Sequence, residues 1–210
     1  MLFRSPDMVA VLLAMQQEHG LTQLPYDLAR AYVSKGGLAL VRLAFPEADD
    51  AMAKQLHQEF LHRYESAVCV DSALFPKLGE LLNELDATGR PWGIVTNKPR
   101  RMTEPLLVGL GIASRAACAI SGDTILRKKP DPAPLLLASR QIGVPVEKTV
   151  YIGDAVSDID AGRAAGMFTI AASYGYITED DDPGSWGADL IAGGTRELTN
   201  YLLKGVNLDR

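Results

Sequence analysis

The chain has 210 residues, 21 Lys+Arg against 26 Asp+Glu for a formal net charge of −5, and is 47% hydrophobic and 22% charged. This is the size of one domain, or one domain carrying a small insert, and the composition excludes a disordered or fibrous chain. The acidic balance argues against nucleic-acid and membrane-surface partners and no apolar run approaches the roughly 18 residues of a membrane span, while Cys69 and Cys118 are too few for a disulfide framework, so a reducing cytoplasm is expected.

Met1 to Asp7 lacks the basic stretch, apolar core and cleavage site of a secretory signal, and Ser5-Pro6 reads as an N-cap and first helical position. Met8, Val11, Leu12 and Met15 recur at helical spacing up to Gly20. Asp27–Lys35 and Gly37–Phe45 read as short helices broken at Gly36-Gly37 and Pro46. Asp50–Tyr64 is a longer helix with Met52, Leu56, Phe60 and Leu61 on one face, whereas Val68-Cys69-Val70 is too short to assign. After Pro76 the pattern changes. Helices are predicted from Leu78 to Gly89, over 101–110, and over Ala133–Gln141, Asp158–Ala165 and Thr195–Leu203. Between them, strands are predicted at Trp92–Val95, Ala116–Ile120, Thr149–Ile152, Phe168–Ala172 and Ala188–Ala192. Strands alternating with helices predict an α/β fold with a parallel sheet, preceded by a helical front third.

In such a sheet, functional residues gather at the carboxyl ends of the strands. The first polar tip is Val95-Thr96-Asn97-Lys98-Pro99, whose Thr96 and backbone N–H groups suit phosphate oxygens; the alternative is a plain turn before Pro99. The second is Arg127-Lys128-Lys129-Pro130-Asp131-Pro132, in which the prolines can hold a lysine toward a site, or merely shape a solvated basic turn. The third, Tyr151-Ile152-Gly153-Asp154-Ala155-Val156-Ser157-Asp158, sets two carboxylates four residues apart on one side of a strand exit and first helical turn. They can converge on Mg²⁺, or Asp158 can simply stabilise the helix N-terminus. Taken together, donors, a lysine and an acidic pair on successive strand ends are what a phosphate monoester requires.

VTNKP, KKPDP and YIGDAVSDIDAGRAAG resemble the second, third and fourth motifs of the haloacid dehalogenase-like hydrolases, and the chain is similar to their phosphoglycolate phosphatase-like members. YGYITEDDDPGSWGAD also resembles the tail of the N-acetylmuramic acid 6-phosphate phosphatases. The resemblance implies a Rossmann-like parallel sheet (residues 75–210) with a small, mainly helical cap (residues 1–74), a Mg²⁺ cofactor and a small phosphorylated substrate. By it, Thr96 and Asn97 hold the phosphoryl group, Lys129 balances its charge, Asp154 binds Mg²⁺ and Asp158 supports it. Gly36 and Gly37 fall where such caps present a substrate-facing turn, a simple helix break being the alternative.

The family's first motif, an apolar strand ending in Asp-x-Asp-Gly-Thr that supplies the nucleophile and the general acid/base, has no counterpart here. Asp71 lacks a second Asp two residues on, Asp158-Ile159-Asp160 lies on a predicted helix, and Asp180-Asp181-Asp182 reads as a loop. The expectation is therefore a truncated sheet without its first central strand, its gap closed by sheet rearrangement or by a segment exchanged with another copy in a homo-oligomer. Three functions are distinguished. One is a Mg²⁺-dependent phosphatase; another is an inactive or truncated relative that binds a phosphate ligand or a protein partner. A metal-free dehalogenase, which needs the same missing Asp, is the least favoured.

Overall fold

Apolar residues at helical spacing build the front of the molecule. The computed structural model describes residues 3–4 and 6–205, so Met1, Leu2 and the N-cap expected at Ser5 lie outside the described residues. β1 (Phe3–Arg4) leads into α1 (Pro6–Glu18), followed by α2 (Tyr26–Ala31), α3 (Gly37–Ala44) and α4 (Asp50–Glu65). Asp49 caps α4 by accepting the Met52 N–H at 2.8 Å, leaving Ala53, Leu56, Phe60 and Tyr64 on its buried face. Leu56, Phe60 and Tyr64 meet Val9, Leu12 and Met15 of α1 and Leu40 and Val41 of α3 in one cluster. The single helix expected over Asp27–Lys35 is instead α2 followed by a 3₁₀ turn at Tyr32–Lys35. Tyr32 and Val33 lie next to each other there, an aromatic and a β-branched residue of modest helix propensity.

The remaining elements alternate: β2 (Ala73–Leu74), α5 (Leu78–Ala87), β3 (Ile94–Val95), α6 (Arg100–Gly109), β4 (Ala119–Ile120), α7 (Ala133–Ile142), β5 (Val150–Gly153), α8 (Val156–Ala164), β6 (Phe168–Ala172), β7 (Leu190–Ala192) and α9 (Thr195–Lys204). β3 pairs parallel with β4, and β5, β6 and β7 pair parallel in that order. Leu78, Leu81 and Leu198 of α5 and α9 cover one face, and Leu135 and Ala161 of α7 and α8 cover the other. This is the layered α/β architecture preceded by a helical part that the patterning predicts.

Three details depart from the expected pattern. The strands expected at Trp92–Val95 and Ala116–Ile120 shrink to two residues each, although Ala117 N–H still donates to the Trp92 carbonyl at 2.8 Å. Residues 3–4 do not enter the parallel sheet but pair antiparallel with β2, a ladder too short to show in the sequence. The parallel sheet is also divided. Among the described residues no ladder joins β3–β4 to β5–β6–β7. A cavity of about 700 Å³ lies at this break, with Ile94, Val95, Val150 and Ile152 from the two strands and Leu82 and Leu135 from the covering helices in its wall.

Candidate active site

One end of that cavity is polar, and the strand tips make it so: Thr96, Lys98, Lys129, Asp154 and Asp158 all line it. Thr96 follows β3, where its Oγ accepts the Lys98 N–H at 3.1 Å. Lys129 comes from the loop before α7. Asn97 fixes that loop by donating its Nδ2 to the Lys129 carbonyl at 3.0 Å and accepting the Lys129 N–H on Oδ1 at 3.1 Å. The Lys129 ammonium then turns inward, donating to Asp158 Oδ1 at 2.5 Å, to Tyr151 Oη at 3.0 Å and to the Val95 carbonyl at 3.1 Å. The Lys129 and Asp158 side chains are only 9% and 10% exposed. Burial by itself pushes the Lys129 amine down, but the adjoining Tyr151 and Asp158 outweigh it and hold the amine above its ordinary range.

Asp154 and Asp158 reach the same place by different routes. Gly153 ends β5 where a Cβ would collide with the Asp158 side chain, so only glycine lets α8 begin so close to the strand. Asp158 Oδ2 accepts the Asp154 N–H at 3.3 Å, and its Oδ1 also takes the Tyr151 hydroxyl at 3.1 Å. Asp154 is 6% exposed and accepts the Tyr176 N–H on Oδ2 at 2.9 Å. Burial raises its pKa above the usual carboxylate range.

Mg²⁺ commonly keeps several waters and takes one or two carboxylates plus substrate phosphate oxygens. Asp154 fits that requirement: among the described residues it accepts a hydrogen bond on Oδ2 alone, from the Tyr176 N–H. Asp158 has both oxygens engaged by protein donors, which suits a supporting carboxylate better than a direct ligand. Among the described residues no group of three or more His, Cys, Asp or Glu could hold a metal ion by itself.

Not every predicted residue gathers here. Gly37 packs in the cap, its Cα facing His57 Nε2 and the Phe60 ring, and Gly36 precedes α3 with φ 92; neither lines the cavity. Asp71 is held at the base of the cap, its N–H donating to Asp7 Oδ1 at 2.8 Å, and Asp160 is exposed on α8.

Two participants went unread in the sequence. Lys98 sits under α4, its Nζ donating to Tyr64 Oη at 2.8 Å and lying 4.3 Å from that ring's centroid, and burial lowers its pKa to about 7. Asp7, 3% exposed, accepts the N–H groups of Val70, Asp71 and Ser72 and the Ser72 hydroxyl, tying the start of α1 to the segment that leaves the cap. The TNKP string marked Lys98 as a turn residue, but its depth depends on a helix far away in sequence.

Residues 8–172 match the family model of the haloacid dehalogenase-like hydrolases. The chain is 42% identical over 199 residues to the N-acetylmuramic acid 6-phosphate phosphatase of Pseudomonas aeruginosa, covering 94% of this chain and 88% of that protein. It is 44% identical over 187 residues to the phosphoglycolate phosphatase of Xanthomonas campestris pv. campestris, covering 89% and 85%. Among solved structures, a protein from Lactobacillus delbrueckii subsp. bulgaricus superposes with a TM-score of 0.84 at 20% identity, covering 97% of this chain and 95% of that one. CbbY of Rhodobacter sphaeroides, solved in complex with phosphate, superposes with a TM-score of 0.69 at 20% identity, covering 91% and 88%. The last two likenesses concern the fold.

Proposed function

Because the chain belongs to the haloacid dehalogenase-like hydrolases, we propose that it hydrolyses the phosphate monoester of a small metabolite at the strand tips bearing Thr96, Lys129, Asp154 and Asp158. The observation that carries this reading is the buried Lys129–Asp158 pair beside Asp154 at the polar end of one cavity. A structural role alone does not account for an ion pair and a second carboxylate collected at strand ends, where desolvation is costly.

In this reading Thr96 Oγ and neighbouring backbone N–H groups donate to the phosphoryl oxygens, Asn97 holds the Lys129 backbone, and Lys129 offsets the oxygens' charge. Asp158 keeps the Lys129 amine protonated and aimed. Asp154 is the residue that would hold Mg²⁺, which when bound supplies positive charge to the phosphoryl oxygens. Residues 1–74 act as the cap and residues 75–210 as the catalytic core, with Gly36-Gly37 as a cap turn near substrate. The cytoplasm is the proposed location; among the described residues, no helix is long and apolar enough to cross a membrane.

The substrate class follows the relatives: phosphoglycolate or N-acetylmuramic acid 6-phosphate is the first to test. Turnover of p-nitrophenyl phosphate, with and without Mg²⁺, by this chain and by Asp154→Ala tests the reaction. Mg²⁺-dependent turnover that disappears in the variant supports it. Turnover at the buffer blank, with inorganic phosphate still bound, supports instead a non-catalytic phosphate binder. The cavity between β3 and β5 supports a further element of the proposal, a strand exchanged with another copy. Sedimentation showing a monomer at all concentrations would remove it.

A further inference from the structure

The cap reaches the candidate metal carboxylate through the two peptide units that flank Tyr176. α2 and the 3₁₀ turn after it carry Arg30, Ser34 and Lys35 on one short segment. Ser34 Oγ donates to the Tyr176 carbonyl at 2.7 Å, and Arg30 Nη2 lies 3.5 Å from the Gly175 carbonyl. The Arg30 guanidinium also covers the Tyr176 ring, 5.1 Å from its centroid. Lys35 closes the row by pairing with Asp181 at 2.6 Å, a carboxylate already fixed by the Thr178 N–H and hydroxyl at 3.1 and 2.6 Å.

The other side of the same loop rests on Asp154. Tyr176 N–H donates to Asp154 Oδ2, and Gly175 lies so close that a Cβ there would strike the Asp154 side chain. Tyr176 is 2% exposed, so the loop fills the space between cap and carboxylate with no slack. A carboxylate turns freely about its last torsion unless its oxygens are bonded. Among the described residues the orienting donor for Asp154 is the Tyr176 N–H, and the carbonyl of that residue is held by the cap.

We propose that Ser34 and Arg30 are positioning residues: the seated cap holds the two peptides flanking Tyr176, Arg30 at the Gly175 carbonyl and Ser34 at the Tyr176 carbonyl, so that the Tyr176 N–H stays on Asp154 and aims the carboxylate oxygen that faces the cavity. The four contacts, made by three cap residues, come from one segment and would be lost together were the cap to lift. Asp154 is then correctly aimed only while the cap is seated over the site. The metal-binding part of this inference rests on the phosphatase reading; the hydrogen-bonding part does not.

Hydrogen–deuterium exchange and Mn²⁺ titration on the whole chain test it, using Ser34→Ala, Arg30→Ala and Ser34→Thr. Ser34→Ala is expected to speed exchange of the Tyr176 amide about ten-fold and to weaken Mn²⁺ binding by about the same factor, the effect of one hydrogen bond of ordinary strength. Arg30→Ala acts in the same direction, Ser34→Thr restores both properties, and exchange in β6 and α4 stays unchanged. The proposal is overturned if the Tyr176 amide exchanges at the wild-type rate in Ser34→Ala. It is equally overturned if exchange rises throughout the molecule, which marks a merely structural contact, or if Ser34→Thr fails to rescue. A wild-type chain that binds no Mn²⁺ would instead count against the phosphatase reading, and the amide exchange would still decide whether the cap holds Asp154.

Discussion

Asn97 and Lys129 exchange two hydrogen bonds, amide nitrogen to carbonyl and backbone N–H to amide oxygen, so that the tip of β3 grips the loop preceding α7. Asn97 is exposed, yet it fixes the backbone of a lysine whose side chain is 9% exposed. Replacing Asn97 with Ala removes both bonds. The expected outcome is a loss of about 1–2 kcal/mol in urea unfolding and weaker binding of inorganic phosphate, measured by calorimetry. Unchanged phosphate affinity would separate Asn97 from the site.

The Lys129–Asp158 pair makes a sharper prediction. Lys129→Ala leaves a buried carboxylate without its cation and should cost about 3–5 kcal/mol in chemical denaturation. The double variant Lys129→Met/Asp158→Leu should regain most of that loss, because it leaves no unpaired charge behind, while phosphate binding stays absent. Additive losses in the double variant would show that the two side chains do not act as a pair.

Gly153→Ala addresses the strand exit. The added methyl has to displace the Asp158 side chain, so a destabilisation of roughly 1–3 kcal/mol is expected by overpacking. Gly89→Ala, where a Cβ meets nothing within 4 Å, carries only the strain of φ +64 and should cost less. Equal melting temperatures for the two variants would count against the tight packing at Gly153.

The cap has its own pH dependence. Burial lowers the pKa of His57, whose Nε2 packs over Gly37. The folded state therefore binds this proton less well than the unfolded state does. Its contribution to stability is intact above the unfolded value of about 6.5 and declines as the pH falls below it. Melting temperatures at about pH 8 and pH 5.5 should differ less for His57→Gln than for the natural chain, with the difference concentrated in α3 and α4.

Much of the arrangement was legible in the sequence because local chemistry dictated it. Gly153-Asp154 marks a strand exit in any parallel sheet, and Lys129 between Lys128 and Pro130 is a constrained cation. Helical spacing from Met8 to Met15 identified α1, and that of Met52, Leu56, Phe60 and Leu61 identified α4. What escaped depended on distant partners. Trp92 reads as a strand residue, but its indole N–H donates to Asp86 at 2.7 Å, outside the β3–β4 ladder, and the strand begins only at Ile94. Lys98 reads as a turn residue until Tyr64 is placed above it. Asp7 reads as an ordinary first-turn acid, and only the folded chain brings Val70, Asp71 and Ser72 around it. The missing motif led to the expectation of a sheet without its first central strand but with the gap closed, whereas among the described residues β3–β4 and β5–β6–β7 remain separate. The pairing of residues 3–4 with Ala73–Leu74 was not expected either, since two residues carry no alternation to read.

A cavity of about 700 Å³ between β3 and β5 also makes the interior unevenly compressible. Hydrostatic pressure favours whichever state eliminates more empty volume, and poorly filled regions yield first. Phe60 and Tyr64, both at most 1% exposed, lie in a filled helical cluster with nothing comparable to give up. In high-pressure NMR the amide signals of Ile94 and Val95 should therefore fade well before those of residues 53–64, so that compression separates the sheet while the cap is still folded.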